Sequence, residues 1–520
     1  MGGRILIHIA IMLLSNVLFL SAQRVMYCTP VDNRYTVSWE VAGKAGDYYW
    51  IGITSRRRET RRHAGPVSEE RVFDIYDTRM NPVNTVPSYP VSDTTLKEYF
   101  VPGDSHFDQL VLLAGYKRTV ALLQRYEPDG GLVERARVIG EFPFSESGNS
   151  FLLVRSQDRS RILLLGFESV PSSAPRLHSL LFDQDWQQVS ARTYVHPGIS
   201  QPIIQDDFTG YPLEDFNKGP VKLANNGEWL MTTPSRNNRN FLLFHFCDSD
   251  KALSCKEIEL PSASSVEDMD LSVDNERGEA FAGILSTLDY DVLKHVQVAH
   301  YSMAGREFDF DSSYVVSTLV SGKLKDECQV KENFTAVPGK GFMLLKEYGR
   351  PYEESYDDMG YRGWDPAFVL ANNVIPDSGS IFPVVRDGYA RSGLLGPMVN
   401  THVRGDLGLF FFPAGKHDSC WSGMLSKEQI TEMNAPNLSY LMVPVGNRLV
   451  FLYNSFIRTD YQYATTTILD PRGDLMAEDG VIFWNIRKGL DFQQARQISA
   501  SEVIVPYALM QRRGFADIRF

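Results

Sequence analysis

The sequence lacks the short motifs that usually identify an enzyme. It contains no GxSxG elbow, no GxxxxGK[ST] phosphate loop and no HExxH zinc motif. Its five cysteines include no CxxC pair, and no Cys/His spacing suits zinc. These absences argue against nucleophilic, nucleotide-dependent and zinc chemistry. We therefore predict no cofactor and no metal.

Basic residues are also fewer than acidic ones. Lysine and arginine number 52 against 64 aspartates and glutamates, a formal net charge of -12. A nucleic-acid partner needs a basic face, so none is predicted. The one basic cluster, Arg56 to Arg58 with Arg61, Arg62 and His63, is interpreted as a solvated hairpin loop.

Long hydrophobic runs are absent except at the start of the chain. Arg4 precedes an apolar stretch from Ile5 to Leu20, and Ser21-Ala22-Gln23 offers small residues for cleavage. This pattern predicts a signal peptide over 1–23. The alternative is a membrane anchor, but the stretch is shorter than the roughly 20 residues that a span needs. We therefore expect an exported protein with no transmembrane segment.

What the chain does contain is a recurring hairpin pattern. Extended hydrophobic runs lead to an aromatic residue or Leu, a polar turn follows, and a second extended run leads away. The copies centre on Tyr76, Tyr126, Phe182, Phe246, Tyr301 and Leu469. A spacing of several tens of residues suits four-stranded blades. We predict an all-β fold, a single β-propeller of about seven four-stranded blades; six or eight also fit, and the alternative is an array of β-sandwiches.

The two ends of the mature chain suggest how such a propeller closes. The segment Ser501 to Phe520 reads as two strands without a later partner, and Tyr35 to Val41 reads as a strand without an earlier one. Pairing them would remove two exposed edges. We therefore predict one domain over 24–520, interrupted by a long insertion at about 350–406.

That insertion carries the first set of candidate binding residues. Aromatic side chains stack on sugar rings or anchor protein partners, and carboxylates accept hydrogen bonds from hydroxyl groups. The alternative is a loop that packs its aromatic side chains over a blade. The candidates are Tyr352, Tyr356, Asp357, Asp358, Tyr361 and Trp364.

A second long connection contains Asp206, Asp207 and Tyr211. Paired carboxylates serve as acid and base in glycoside cleavage, and they also chelate calcium. The plainer interpretation is that both aspartates form a turn, where Asp is common.

Cys247 and Cys255 lie on either side of the segment DSDKALS. In an exported chain, this placement predicts a disulfide that closes one hairpin. The pairing of Cys28, Cys328 and Cys420 is left open.

The Ser-Ala-Gln signal ending, the propeller-like hairpins and the ending QARQISASEVIVPYALMQRRGFADIRF resemble uncharacterised exported β-propeller-like proteins of Bacteroidota. The resemblance implies a periplasmic or extracellular bacterial setting and carries no catalytic residues. Taken together, these patterns predict a monomeric, non-catalytic binding or scaffold propeller that recognises a glycan or a protein through long loops. The alternative is a carbohydrate-active enzyme of the glycoside hydrolase type.

Overall fold

The computed structural model describes the chain in separate stretches. They are 24–32, 36–57, 68–89, 94–143, 150–168, 175–196, 218–235, 240–247, 252–260, 264–288, 293–317, 328–353, 400–414, 420–425, 429–431, 440–446, 448–456, 462–470, 472–481, 489–492, 494–509 and 512–520. Within these stretches the regular structure is entirely β, and no helix there is long and apolar enough to cross a membrane.

The strands form eight antiparallel sheets, each built mainly from strands that follow one another along the chain. The early strands are β1 (Arg24–Tyr27), β2 (Val31–Asp32), β3 (Thr36–Ala45), β4 (Tyr48–Arg57), β5 (Ser68–Tyr76), β6 (Pro82–Pro87), β7 (Thr95–Pro102), β8 (Phe107–Gly115), β9 (Arg118–Tyr126), β10 (Leu132–Phe142), β11 (Ser150–Arg155), β12 (Arg161–Glu168), β13 (Arg176–Asp183) and β14 (Gln188–Val195).

The later strands continue the same order. They are β15 (Val221–Leu223), β16 (Trp229–Pro234), β17 (Asn240–Cys247), β18 (Ala252–Glu259), β19 (Ser264–Asp274), β20 (Glu279–Leu288), β21 (Leu293–Ser302), β22 (Glu307–Ser317), β23 (Cys328–Val337), β24 (Gly341–Glu353), β25 (Asn400–Pro413), β26 (Trp421–Leu425), β27 (Gln429–Thr431), β28 (Tyr440–Val445), β29 (Arg448–Phe456), β30 (Gln462–Leu469), β31 (Leu475–Val481), β32 (Gly489–Leu490), β33 (Arg496–Ser499), β34 (Glu502–Leu509) and β35 (Arg512–Arg519).

Seven blades take their strands from consecutive segments, from β3–β6 in blade 1 to β28–β31 in blade 7. Blade 6 combines β23–β26 with β27, which also pairs with β25. Blade 8 joins β32–β35 to the early strands β1 and β2. The fold is therefore an all-β propeller of eight four-stranded blades, whereas the spacing predicts about seven.

The undercount has a physical reason. The recurring hairpins are the turns between the third and fourth strands of blades 1, 2, 3, 4, 5 and 7. Blade 8 takes its fourth strand from the other end of the chain, so no such hairpin exists there. In blade 6 the long connection from Glu353 to Asn400 separates the second and third strands, which interrupts the regular spacing of the hairpins.

Closure between the chain ends is confirmed, but with a different strand. Arg24 to Tyr27 pairs antiparallel with β35, so that Arg24 lies opposite Arg519. The predicted partner, Tyr35 to Val41, overlaps β3, which pairs with β4 as the first strand of blade 1. That prediction was wrong because a complete first blade needs β3, which leaves only the shorter preceding segment for the closing sheet.

The chain divides into two compact units. One comprises Met1–Ser88, Pro351–Arg404 and Lys427–Phe520, and the other comprises Tyr89–Arg350 and Gly405–Ser426. In each unit, hydrophobic clusters lie between successive blades. In the second unit they join blades 2 to 6 in turn, and in the first unit they join blade 7 to blade 8 and blade 8 to blade 1.

Because every blade is a meander, its connections lie at two ends. We term "turn end" the end with the first-to-second and third-to-fourth strand connections. We term "loop end" the end with the second-to-third connection and the link to the next blade. At the turn end, Asp77, Asp183 and Asp470 each accept backbone N–H groups of their own turn through Oδ1. This side-chain bonding explains why Asp follows the aromatic residue or Leu in three of the six hairpins.

Candidate functional site

Most of the predicted binding residues lie outside the described residues. This holds for Tyr356, Asp357, Asp358, Tyr361, Trp364, Asp206, Asp207 and Tyr211. Tyr352 lies in β24, but its side chain is not among those described. By connectivity, the two segments join the second strand to the third in blade 6, and blade 3 to blade 4. Both are therefore loop-end connections.

The described residues form a cavity at a loop end, between blades 2 and 3. Its volume is about 160 Å³, and both blades belong to the same compact unit. Blade 2 contributes the end of β10, and blade 3 contributes β13 and β14. The lining residues are Glu141, Phe142, Pro143, His178, Ser179, Leu180, Ala191, Arg192 and Thr193.

His178 is the polar centre of this cavity, and both of its ring nitrogens are engaged. Nδ1 lies 3.0 Å from the Thr193 hydroxyl, which is opposite it in the ladder, and Nε2 lies 3.0 Å from Oε2 of Glu168. The side chain is only 7% exposed. These two contacts fix the ring, so its role is to hold Thr193 and Glu168 in place.

The cavity does not contain a nucleophilic triad. Ser179 follows His178 directly in β13, so their side chains point to opposite faces of the sheet. Leu180 lies on the face of His178 and packs against blade 2, where a Cβ on Gly140 would lie 2.7 Å from Leu180 Cδ1. The described geometry is therefore that of a small recess whose lining combines apolar side chains with a similar number of polar ones.

The second polar cluster lies at the turn end, between blades 8 and 1. The Tyr49 hydroxyl oxygen lies 2.5 Å from Glu502 Oε1 and 2.9 Å from Asp517 Oδ2, so its single proton is shared between the two carboxyl groups. Lys44 bonds both oxygens of Glu502, and Arg519 Nε lies 2.8 Å from Asp517 Oδ2. We refer to Lys44, Tyr49, Glu502, Asp517 and Arg519 as the clasp.

Burial and neighbouring groups shift the pKa values of the two acids of the clasp in opposite directions. Burial, followed by the neighbouring charge of Glu502, raises the pKa of Asp517 to about 6. Burial would also raise the pKa of Glu502, but the hydrogen bonds from Lys44 and Tyr49 outweigh it and lower that pKa. Glycosidase carboxylates stand about 5 Å apart or more around a substrate. The clasp acids instead share one hydroxyl and one guanidinium, so the clasp is a structural junction.

A third cluster links blades 5 and 6 through charges. Lys346 is fully buried, with Nζ 3.2 Å from Glu332 Oε2. Lys294 contacts Glu332 at 3.8 Å and also pairs with Glu267. Burial lowers the pKa of Lys346 despite the nearby glutamates. Because its amine is closed off from solvent, this network serves the junction between the blades.

The predicted disulfide between Cys247 and Cys255 is not formed. In the ladder of β17 and β18, Cys247 lies opposite Ala252, and Cys255 lies opposite Phe244. The two cysteines therefore stand three positions out of register and on opposite faces, which no disulfide spans. The Cys247 thiol instead donates to Glu228 Oε1 at 3.0 Å. No group of three or more metal-ligating side chains occurs within the described stretches.

Sequence reasoning did not identify His178, Glu168 or Thr193. Each lies within a strand whose hydrophobic pattern is ordinary, and only the register brings them together. A polar His inside RLHSLLFD, a strand buried along six of its eight positions, was the one available signal.

Comparison with known proteins identifies no family. No family model matches, and no curated protein matches. Similar solved structures include the WD40 domain of SCAP from fission yeast, at 9% identity, 96% coverage of this chain, 98% of that chain and a TM-score of 0.38. The Dos1 propeller is 9% identical, and the match covers 95% of this chain and 94% of that chain with a TM-score of 0.41. An oligogalacturonate lyase in complex with manganese is 9% identical, and the match covers 96% of this chain and 97% of that chain with a TM-score of 0.33. These low scores carry no functional argument, and the architecture rests on the strand topology described above.

Proposed function

We propose that this chain is an exported, non-catalytic binding or scaffold propeller that recognises a glycan or protein partner through its loop ends. The observation that supports this most directly is the unequal length of the connections. The longest turn-end connection runs only from Pro413 to Trp421. The loop ends carry the connections from Val195 to Val221 and from Glu353 to Asn400.

The physical argument is that a propeller does not need long connections to close. Blade 2 joins its second and third strands at the loop end through Tyr116 and Lys117 alone. Long connections on a rigid scaffold are typical of recognition surfaces, because they vary in sequence without disturbing the sheets. The segment after Glu353 is also rich in the aromatic and acidic side chains that supply binding energy.

Replacement of residues 356–397 by a short Gly/Ser linker tests the proposal. Blade 6 should keep the pairing of β23 with β24 and of β25 with β26, so the thermal melting midpoint should change little. Binding on a glycan array, or cross-linking to a protein on the cells that make it, should be lost. Unchanged binding by the shortened protein would contradict the proposal.

A point substitution refines the same test. Trp364→Ala should weaken binding about tenfold while leaving the fold intact. Tyr116→Ala is the matched control, because Tyr116 is a loop-end aromatic residue that is 86% exposed in a tight connection. A loss of stability of about 3–5 kcal/mol for Trp364→Ala would instead identify a packing residue. Release of reducing sugar from a bound glycan would favour the alternative of a carbohydrate-active enzyme.

A further inference from the structure

The turn between the first and second strands of blade 4 contains the one Asn-Gly pair of the sequence, Asn226-Gly227. Asparagine deamidates most readily before glycine, because glycine has no side chain to keep its backbone nitrogen away from the asparagine amide. In this reaction the nitrogen of Gly227 bonds to Cγ of Asn226, the bond from Cγ to Nδ2 breaks, and Nδ2 leaves as ammonia with the proton of the attacking nitrogen. Water then opens the cyclic imide at either carbonyl, which gives aspartate or isoaspartate.

The surroundings of Asn226 suit this chemistry. The residue is exposed, and its Oδ1 accepts the backbone N–H of Glu228 at 2.9 Å. That donor polarises the amide carbonyl and stabilises the negative charge that develops on Oδ1 during the attack, as oriented backbone donors do in acyl transfer. Among the described residues, none accepts a hydrogen bond from Nδ2 of Asn226. The leaving nitrogen is therefore open to water.

One contact opposes the reaction. The N–H of Gly227 donates to the carbonyl of Ala224 at 3.0 Å, so the nitrogen must give up this bond before it attacks. A single backbone hydrogen bond at a solvated turn opens at little cost in free energy. The bond therefore slows the attack without preventing it.

The asparagine in the corresponding turn of blade 5 lacks these features. Asn275 uses both ends of its amide, because Oδ1 accepts the N–H of Asn225 at 2.8 Å and Nδ2 donates to Gln157 at 3.0 Å. The next residue is Glu276, whose side chain hinders the approach of the backbone nitrogen. Asn275 is thus a matched internal control, and Asn226 should react first.

We propose that Asn226 is a site of spontaneous deamidation and that its conversion to isoaspartate loosens the first turn of blade 4. Isoaspartate routes the main chain through the side-chain carbon of residue 226, which adds a methylene group before Gly227. Both products also place a carboxylate beside Glu228. The site lies at the turn end, so it is independent of the loop-end function proposed above.

The contacts of this turn show what the longer main chain disturbs. On one side, the N–H of Asn225 donates to Asn275 of blade 5, and Oδ1 of Asn225 accepts the N–H of Asp158 of blade 3. On the other side, Oε1 of Glu228 accepts the Cys247 thiol at 3.0 Å. Because the turn is held on both sides, the added methylene group has to displace one of them.

Incubation of the folded protein in mildly alkaline buffer, followed by peptide mapping with mass spectrometry, tests the site. The peptide that contains residue 226 should acquire the mass of the acid, elute as two products and be labelled by an isoaspartyl methyltransferase. Conversion should be about tenfold faster or more than at Asn275 in the same sample, which corresponds to the effect of one oriented hydrogen bond on a rate. Asn226→Gln should stay unmodified, because glutamine would have to form a larger ring.

Thermal melting and alkylation of Cys247 by iodoacetamide measure the consequence. The aged parent should melt at a lower temperature and its Cys247 should react faster, whereas Asn226→Gln treated in the same way should keep both values. Asn226→Asp adds the charge without the methylene group and should melt close to the fresh parent.

Two sets of results would overturn the proposal. The site is wrong if Asn226 stays intact while Asn275 converts, or if it converts only after unfolding in urea. The loosening is wrong if a protein with isoaspartate at position 226 keeps the melting temperature and the Cys247 reactivity of the fresh parent. It is also wrong if Asn226→Asp melts as low as the aged parent, because the charge would then account for the change.

Discussion

The junction between blades 2 and 3 has two ends that differ in how they treat polar groups. At the turn end, the buried carboxylate of Asp108 accepts hydrogen bonds from Trp186 Nε1 at 2.8 Å and from Arg125 Nε at 2.8 Å. At the loop end, His178 and Thr193 face a cavity beside an exposed strand. The same hydrophobic cluster lies between the two ends. The junction is thus closed around buried polar groups at the turn end and has an open recess at the loop end.

Backbone strain marks the sealed end. Trp186 has φ of 60°, and Met80 at the corresponding position of blade 1 has φ of 66°. Blades 2 and 7 use Gly130 and Gly473 at this position of the turn, which tolerate positive φ at little cost. Met80 and Trp186 are each 2% exposed. Burial of a large side chain therefore offsets the strain at the turn ends.

The largest effect is expected from Trp186→Ala. The substitution removes a buried aromatic side chain and leaves one hydrogen bond of Asp108 unmade. We expect a loss of about 3–5 kcal/mol in the free energy of unfolding, measured by urea denaturation. A loss below about 1 kcal/mol would show that the turn end is not the sealed side of the junction.

The clasp provides a second turn-end junction whose strength depends on pH. Asp517 binds its proton more tightly in the folded protein, because its pKa is raised from 3.8 to about 6. Its contribution to stability is fully present below about pH 4 and is lost as the pH rises through about 6, by up to roughly 3 kcal/mol. Glu502, whose pKa is lowered, acts in the opposite sense and loses its contribution as the pH falls.

Urea denaturation at a series of pH values separates the two acids of the clasp. Asp517→Asn should remove the decline in stability between about pH 4 and 6 and leave the acid-side loss from Glu502. If the Asp517→Asn protein has the same pH profile as the parent over that range, a group other than Asp517 causes the decline in stability.

A smaller effect is expected at the open end. His178→Gln keeps a polar side chain but cannot reproduce both ring contacts, so we expect a loss of about 1–2 kcal/mol. Differential scanning calorimetry measures it. A loss as large as that of Trp186→Ala would remove the contrast between the two ends of this junction.

The smallest effect should come from V189K/V195K. Both side chains are more than half exposed, so the free energy of unfolding should change by no more than about 0.5 kcal/mol. Circular dichroism during thermal melting checks this. A large destabilisation would show that the β14 edge is covered in the folded chain.

Local patterns in the sequence predicted much of the fold. The pairs DQLVLLAGY with TVALLQRY and YLMVPVGN with RLVFLYNSF are β8 with β9 and β28 with β29. Continuous apolar strands such as β12 and β13 are buried on both faces, because blade 3 packs between blades 2 and 4. Turn-forming residues and hydrophobic runs are properties of short segments, so they can be recognised from the sequence alone.

The sites depend on information that short segments do not contain. His178 meets Thr193 only through the register of β13 and β14, and Tyr49 meets Glu502 across 453 positions of sequence. The same reason explains why the prediction of a disulfide between Cys247 and Cys255 was wrong. The two cysteines are placed symmetrically around a turn in the sequence, but in the ladder Cys247 lies opposite Ala252 and Cys255 lies opposite Phe244. The candidate residues Trp364, Asp206 and the others in their segments stay predictions.

The antiparallel pairing of Arg24 with Arg519 has a consequence for the time course of synthesis. The first described strand leaves the ribosome early, and its partner β35 leaves after nearly 500 further residues. At roughly 5–20 residues per second, the interval is on the order of half a minute to over a minute. Throughout that interval blade 8 has no third strand to receive β1. Blade 8 can therefore be completed only after β35 has been synthesised, and until then the early strand is exposed to chaperones or to neighbouring chains.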